Sequence, residues 1–247
     1  MPYSRPDKDD EISLPFQDLI YYIYIVVKRN FKPERIQIMF QVEKGIPGQQ
    51  KQEEKMILTG HNGNNADLIK VVSEMYIKQG QTVADVTYGK GVFWKNVDIT
   101  RFNLLPTDLQ AGVDFAKLPY ENGTIDILVL DPPYMHGGAT VKKSINDCYK
   151  NQNTSHESVV RLYASGVLEA ARVLKKGGLI WVKCQDEIES AKQRLTHCEI
   201  LSMLDMFGFY CQDIFILIQS SVPAMREKYQ NTARKNHSYL IIGKYKR

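Results

Sequence analysis

The chain has 247 residues, 43% hydrophobic and 24% charged, with a formal net charge of +4. That length fits one domain with a small appendage, and the composition excludes a mainly disordered chain. The longest apolar run, Leu19–Val27, is far short of the roughly 20 residues a spanning helix needs, and the charged first ten residues lack a signal-peptide core, which predicts an intracellular, cytoplasmic protein with no membrane attachment.

Residues 16–44 hold two apolar segments, and 45–56 read as a polar connector. From there the pattern becomes regular. Asn64 or Asn65 caps a helix with an apolar face of Leu68, Val72, Met75 and Tyr76, ended by Gly80. A strand over Thr82–Val86 leads into a glycine-bearing turn, and a second strand follows near Asn103–Leu105. A short third strand is expected to end at Asp114, and an apolar strand over Ile125–Leu130 runs directly into Asp131. Residues 135–157 are polar and aperiodic, a long loop. Helix Val160–Leu174, strand Leu179–Lys183 and a helix over much of 186–207 come next; strands Tyr210–Ile218 and Ser238–Tyr245 close the series. Alternating strands and helices predict an α/β fold with a mostly parallel sheet, whose ligands lie outside the carboxyl ends of the strands.

Four strand ends carry groups with chemistry. Asp85-Val86-Thr87-Tyr88-Gly89-Lys90-Gly91 follows a strand, and its glycines permit a sharp turn and close approach to a ligand. It is not the dinucleotide pattern, because the third glycine position is Trp94. A plain tight turn is its other reading. Asp108, at the second tip, is placed to accept from ribose hydroxyls, or else to serve as a helix N-cap or a surface carboxylate. Asp114 can accept from an adenine amino group while Phe115 covers the ring. Asp131-Pro132-Pro133-Tyr134 is the most specific signal. Two prolines fix an extended backbone and remove two N–H donors, leaving the Asp131 carboxylate and the Pro132 carbonyl as an acceptor-only lip. That lip suits a planar amino group, and Tyr134 offers a face for a base ring.

These motifs resemble those of the amino-methyltransferases that act on nucleic-acid bases, above all small bacterial and phage DNA methyltransferases. DVTYGKG at 85–91 looks like their cofactor motif, and DPPY at 131–134 matches their catalytic motif; AKLPY at 116–120, RVLKKGGLIWVK at 172–183 and ARKNHSYL at 233–240 fit neighbouring stretches. The resemblance spans about 60–247, the catalytic domain, and leaves 1–59 as an N-terminal extension of unassigned fold. It implies a Rossmann-like class I methyltransferase fold, with seven mostly parallel strands, one antiparallel strand and helices on both faces. It also implies S-adenosylmethionine as cofactor, held by Asp85, Thr87, Tyr88, Gly89, Gly91, Asp108, Asp114 and Phe115, with His61 or Asn62 near its methionine end. Asp131, Pro132, Pro133 and Tyr134 take the catalytic roles. The implied substrate is the exocyclic amino group of a base flipped out of double-stranded DNA, adenine N6 ahead of cytosine N4. An RNA base methyltransferase and an inactive subunit of the same fold remain the alternatives.

One departure matters. The large members carry a separate target-recognition domain, and no such segment fits here. Specificity must then come from loops 135–157 and 219–236, from residues 1–60, or from a separate partner; a homodimer is also compatible. Lys142 and Lys143 follow the DPPY motif, and Arg234 and Lys235 lie in the basic C-terminal end; these four are the candidate DNA contacts. From Pro223 to Arg247 seven Lys or Arg residues face one Glu, which suits a polyanion and equally a solvated tail. Cys148, Cys184, Cys198 and Cys211 form no CxxC pair, so neither a zinc site nor a disulfide framework is expected.

Overall fold

Apolar strands of period two, alternating with amphipathic helices, build a sheet buried on both faces. The computed structural model describes residues 56–133, 155–219, 233 and 235–246. In chain order its strands are β1 (Gly60–Asn62), β2 (Thr82–Asp85), β3 (Asn103–Pro106), β4 (Ile125–Leu130), β5 (Leu174–Cys184), β6 (Glu187–Glu189), β7 (Lys192–Arg194), β8 (Phe209–Ile218) and β9 (His237–Tyr245). Seven of them form one sheet in the order β1-β8-β9-β5-β4-β2-β3, and β6 pairs only with β7. β9 runs antiparallel to β5 and β8, while the other pairs of the large sheet are parallel. The expected Rossmann-like α/β architecture, with one antiparallel strand, is therefore the one observed.

The seventh strand is not where the sequence places it. Residues 111–120 form turns, with no strand ending at Asp114. Asp108 and Asp114 draw the backbone N–H groups of Ala111 and Ala116 onto their own carboxylates, at 2.8 and 2.9 Å. Local bonds of this kind compete with a ladder, and Pro119 adds a missing donor. The count of seven is restored at the opposite edge, where β1 pairs with β8.

Three helices among the described residues cover the sheet. α1 (Asn65–Tyr76) is capped by Asn64, whose side chain accepts from the Asp67 N–H at 3.1 Å. Its buried arc includes Ile69 and Ser73, which turns Met75, expected inward, to the rim, where it is 52% exposed. The helix ends at Tyr76, ahead of Gly80. α2 (His156–Val173) opens with a capping box between Ser155 and Ser158. α3 (Thr196–Met206) fills only the second half of the helix expected over 186–207. The first half is the β6–β7 hairpin, turning through Ser190 and Ala191 at positive φ. Tertiary partners win there: Glu189 accepts from the Arg194 guanidinium at 2.7 Å and from the His156 backbone N–H at 2.7 Å.

α1 and the 3-10 turn Val92–Trp94 pack on one face of the sheet, over Val83, Ile127, Val129, Trp181, Leu240 and Ile242. α2 and α3 pack on the other, over Leu128, Leu130, Ile180, Val182 and Ile241. α2 packs tightly on β4 at Gly166, where an added Cβ would lie 2.8 Å from Leu130 Cδ2. Gly166→Ala is expected to destabilise by about 1–3 kcal/mol through overpacking, although alanine is the better helix former. A thermal midpoint equal to or above wild type would show that α2 gives way freely.

Candidate active site

The carboxyl ends of β2, β3 and β4 lie side by side on one edge of the sheet. At the tip of β2 Asp85 is 2% exposed. The Trp94 indole N–H donates to its Oδ2 at 2.7 Å, and the Thr87 N–H donates to its Oδ1 at 3.1 Å. Burial outweighs these bonds and pushes Asp85 up to about 6. The chain then turns at Gly89 and Gly91, with φ of 54° and 66°. The Tyr88 ring folds back over Gly91: a Cβ there would lie 2.6 Å from the tyrosine hydroxyl. Only glycine combines that backbone with that contact.

Thr87 ties the turn to the residue that follows β4, its Oγ1 accepting from the Asp131 N–H at 2.7 Å. Pro132 is buried and Pro133 half-buried. The Asp131 Oδ1 is buried and has no hydrogen-bond partner among the described residues. Burial is the chief cause that pushes this carboxyl up to about 7; Lys183 acts against it and Asp85 adds to it. An unpartnered acceptor of this kind, beside a proline that donates nothing, can receive the hydrogens of an amino group.

The remaining candidates are placed less uniformly. Asp108 is 8% exposed, and one of its oxygens serves the Ala111 N–H. Asp114 is exposed and holds its own turn. Phe115 is half-buried and packs against the α2 side of the core, beside Gly166. At the carboxyl end of β1 and the first residue of α1, His61 Nε2 and Asn65 Oδ1 are buried without partners among the described residues, while Asn62 is exposed. Lys235 is half-exposed, just ahead of β9. Tyr134, Lys142, Lys143 and Arg234 lie outside the described residues, as do 1–55 of the N-terminal extension.

Two residues of the site escape sequence reasoning. Trp94 reads as a spoiled glycine motif, yet its indole is the strongest partner of Asp85. Lys183 reads as the polar end of a strand, yet it is 2% exposed and its ammonium donates to the Ser238 hydroxyl. The signal was available: a lysine ending the apolar run Leu179–Val182, on the strand beside DPPY, has no solvent to reach.

No protein-family model and no curated protein matches the chain. Among solved structures, it is similar to a protein described as a methyltransferase from Bacillus halodurans C-125, at 16% identity and TM-score 0.46, covering 75% of this chain and all of the other. An S-adenosylmethionine-dependent methyltransferase from Methanosarcina mazei matches at 10% identity and TM-score 0.41, over 71% of this chain and 97% of its own. A protein described as a DNA modification methylase from Thermus thermophilus, complexed with S-adenosyl-L-methionine, matches at 15% identity and TM-score 0.36, with 52% of this chain covering 48% of that one.

Proposed function

We propose that the chain methylates the exocyclic amino group of a DNA base, adenine N6 ahead of cytosine N4, with S-adenosylmethionine as donor. The observation that carries the reading is the buried, unpartnered Asp131 Oδ1, held next to Pro132 and tied through Thr87 to the glycine turn. The donor fits the residues present: a turn only glycine can make, acids at successive strand tips, and the unpartnered His61 Nε2 and Asn65 Oδ1 at the carboxyl end of β1 and the start of α1. Gly89, Gly91 and Tyr88 would hold it at the turn and Asp108 at the ribose. Bound there, it supplies an electrophilic methyl group.

The amino nitrogen of a base is a poor nucleophile because its lone pair is delocalised into the ring. Asp131 and the Pro132 carbonyl accept its two hydrogens and turn the lone pair out of conjugation. As the N–C bond forms and the S–CH3 bond of a bound donor breaks, positive charge would grow on nitrogen, where the Asp131 carboxylate stands. One N–H proton then passes to that carboxylate and on to solvent, leaving a neutral methylated amine and the neutral thioether. Fixed proximity supplies much of the remaining acceleration. In duplex DNA the base must first leave the stack, at a cost of a few kcal/mol, of which stacking on Tyr134 returns about 1–3 kcal/mol. The broad tyrosine face gains more from a purine, which favours adenine.

Incubation with labelled donor and DNA, RNA or protein in parallel, followed by mass spectrometry of nucleosides, tests the reading. N6-methyladenine in DNA is expected. N4-methylcytosine as the main product defeats the choice of base, and label confined to RNA or protein defeats the DNA assignment. Asp108→Asn, which keeps an acceptor for Ala111, is expected to weaken donor binding by about 1–3 kcal/mol, read by calorimetry; unchanged affinity removes Asp108 from the site. Neutralising Arg226, Lys228, Arg234 and Lys235 is expected to flatten the log–log salt dependence of DNA binding by about 0.9 per lost phosphate contact. An unchanged slope assigns those charges to solvent.

A further inference from the structure

Residues two apart on a strand share a face. On the α1 face that rule continues Val83 to Asp85, Val129 to Asp131, Trp181 to Lys183 and Leu240 back to Ser238. Four polar side chains thus stand on one face, on the adjacent strands β2, β4, β5 and β9, where the apolar rows end. β4 and β5 pair in parallel as far as Leu130 and Val182, so Asp131 and Lys183 are the next residues on each. Asp85, Lys183 and Ser238 are each 2% exposed, and the Asp131 Oδ1 is buried.

The partners within the row are unequal. Asp85 has the Trp94 indole and the Thr87 N–H. The Asp131 Oδ1 has no hydrogen-bond partner among the described residues. The Lys183 ammonium uses one of its three hydrogens on Ser238. Among the described residues, the charged groups acting on Asp131 are Asp85 from β2 and Lys183 from β5, with the Cys184 thiol also in range, and of these Lys183 opposes the effect of burial. Lys183 in turn is acted on by Asp131 and by its neighbour Cys184. A second carboxylate beside a buried, unbonded one disfavours ionisation, so a compensating cation is needed for both to be charged at neutral pH.

We propose that Lys183 is a positioning residue of the site: its buried ammonium, anchored by Ser238, is the counter-charge that keeps Asp131 ionised and able to accept hydrogens. The inference rests on the reading of Asp131 as the acceptor of the substrate amino group, and it adds a role for β5 to that reading. A protonated Asp131 would offer a donor where two donors already arrive. Lys183 does not touch the substrate in this scheme; it sets the fraction of molecules in which Asp131 is competent.

The test reads the charges directly. In full-length protein labelled with 13C at aspartate Cγ and lysine Cε, the Asp131 and Lys183 resonances are assigned by substitution and followed against pH. In Lys183→Met, Asp131 is expected to titrate at least about one pH unit higher, a tenfold change in its ionisation. In Asp131→Asn, Lys183 is expected to titrate lower by a similar amount, because coupling between two sites is reciprocal. The two variants are independent, so a Lys183→Met protein that fails to fold leaves Asp131→Asn to decide. Titrations that stay within about 0.3 pH units of wild type overturn the proposal. Where methyl transfer is found, the acid limb of its pH profile moves upward in Lys183→Met. Coupled titrations in a protein with no methyl transfer to any acceptor uphold the counter-charge and reject the methyltransferase reading.

Discussion

Replacing Asp131 by Ala or Asn is expected to lower methyl transfer by at least about 10²–10³-fold, the size found when one preorganised group is removed from the position of developing charge. Donor binding should be nearly unchanged, because the Asp131 backbone N–H, and not its carboxylate, carries the link to Thr87. Neither variant can accept both the charge and the hydrogens at that position: alanine offers no oxygen, and asparagine offers a neutral one. Single-turnover kinetics at saturating donor, with calorimetry of the donor alone, separate the two effects. Full turnover by Asp131→Asn would remove the carboxylate from the chemistry.

The same Asp131→Asn protein is expected to be more stable than wild type above neutral pH. Asp131 is raised from an ordinary 3.8 to about 7 by burial. A group raised on folding favours the native state fully below its unfolded value, and that contribution is lost as pH rises through its folded value. Between 3.8 and about 7, at about 1.4 kcal/mol per pH unit, the loss reaches roughly 4 kcal/mol. Asparagine does not ionise and so avoids it. Denaturant titrations at pH 8 should show Asp131→Asn gaining on the order of 2–4 kcal/mol, and the gain should vanish toward pH 4. A gain that is absent at pH 8, or constant across that range, would show that the wild-type carboxylate is well solvated. Activity and stability then oppose each other at one atom, as expected of a site built to hold charge where water cannot reach.

Much of this architecture is legible before any coordinate. β4 spans the residues its apolar run predicts, Ile125–Leu130, and α1 starts where Asn64 caps it, because both signals are local. Residues 111–120 mislead because Asp108 and Asp114 satisfy the backbone from within their own turns. Residues 187–194 mislead because the partners of Glu189, Arg194 and the His156 backbone, act on the folded chain and leave no trace in periodicity. The candidate site divides in the same way. Asp85 and Asp131 follow apolar strands and announce themselves. Trp94 reaches Asp85 only through a 3-10 turn nine residues on, and Lys183 reaches the row only through the pairing of β4 with β5.

The place of β9 bears on how the protein is made. It is the last of the described strands to leave the ribosome, yet it lies inside the sheet, bonded to β5 on one side and β8 on the other. Until residue 245 has emerged, β5 and β8 each present an open, apolar edge, and the β1–β8 pair has no bond to the remaining strands of the sheet. Such edges are templates for pairing with other chains, so the interval before β9 inserts is the aggregation-prone stage of synthesis. Loss of β9 would do more than shorten the molecule. It would leave Lys183 without Ser238 and divide the sheet into two parts, neither with the interior position that β5 holds in the finished fold.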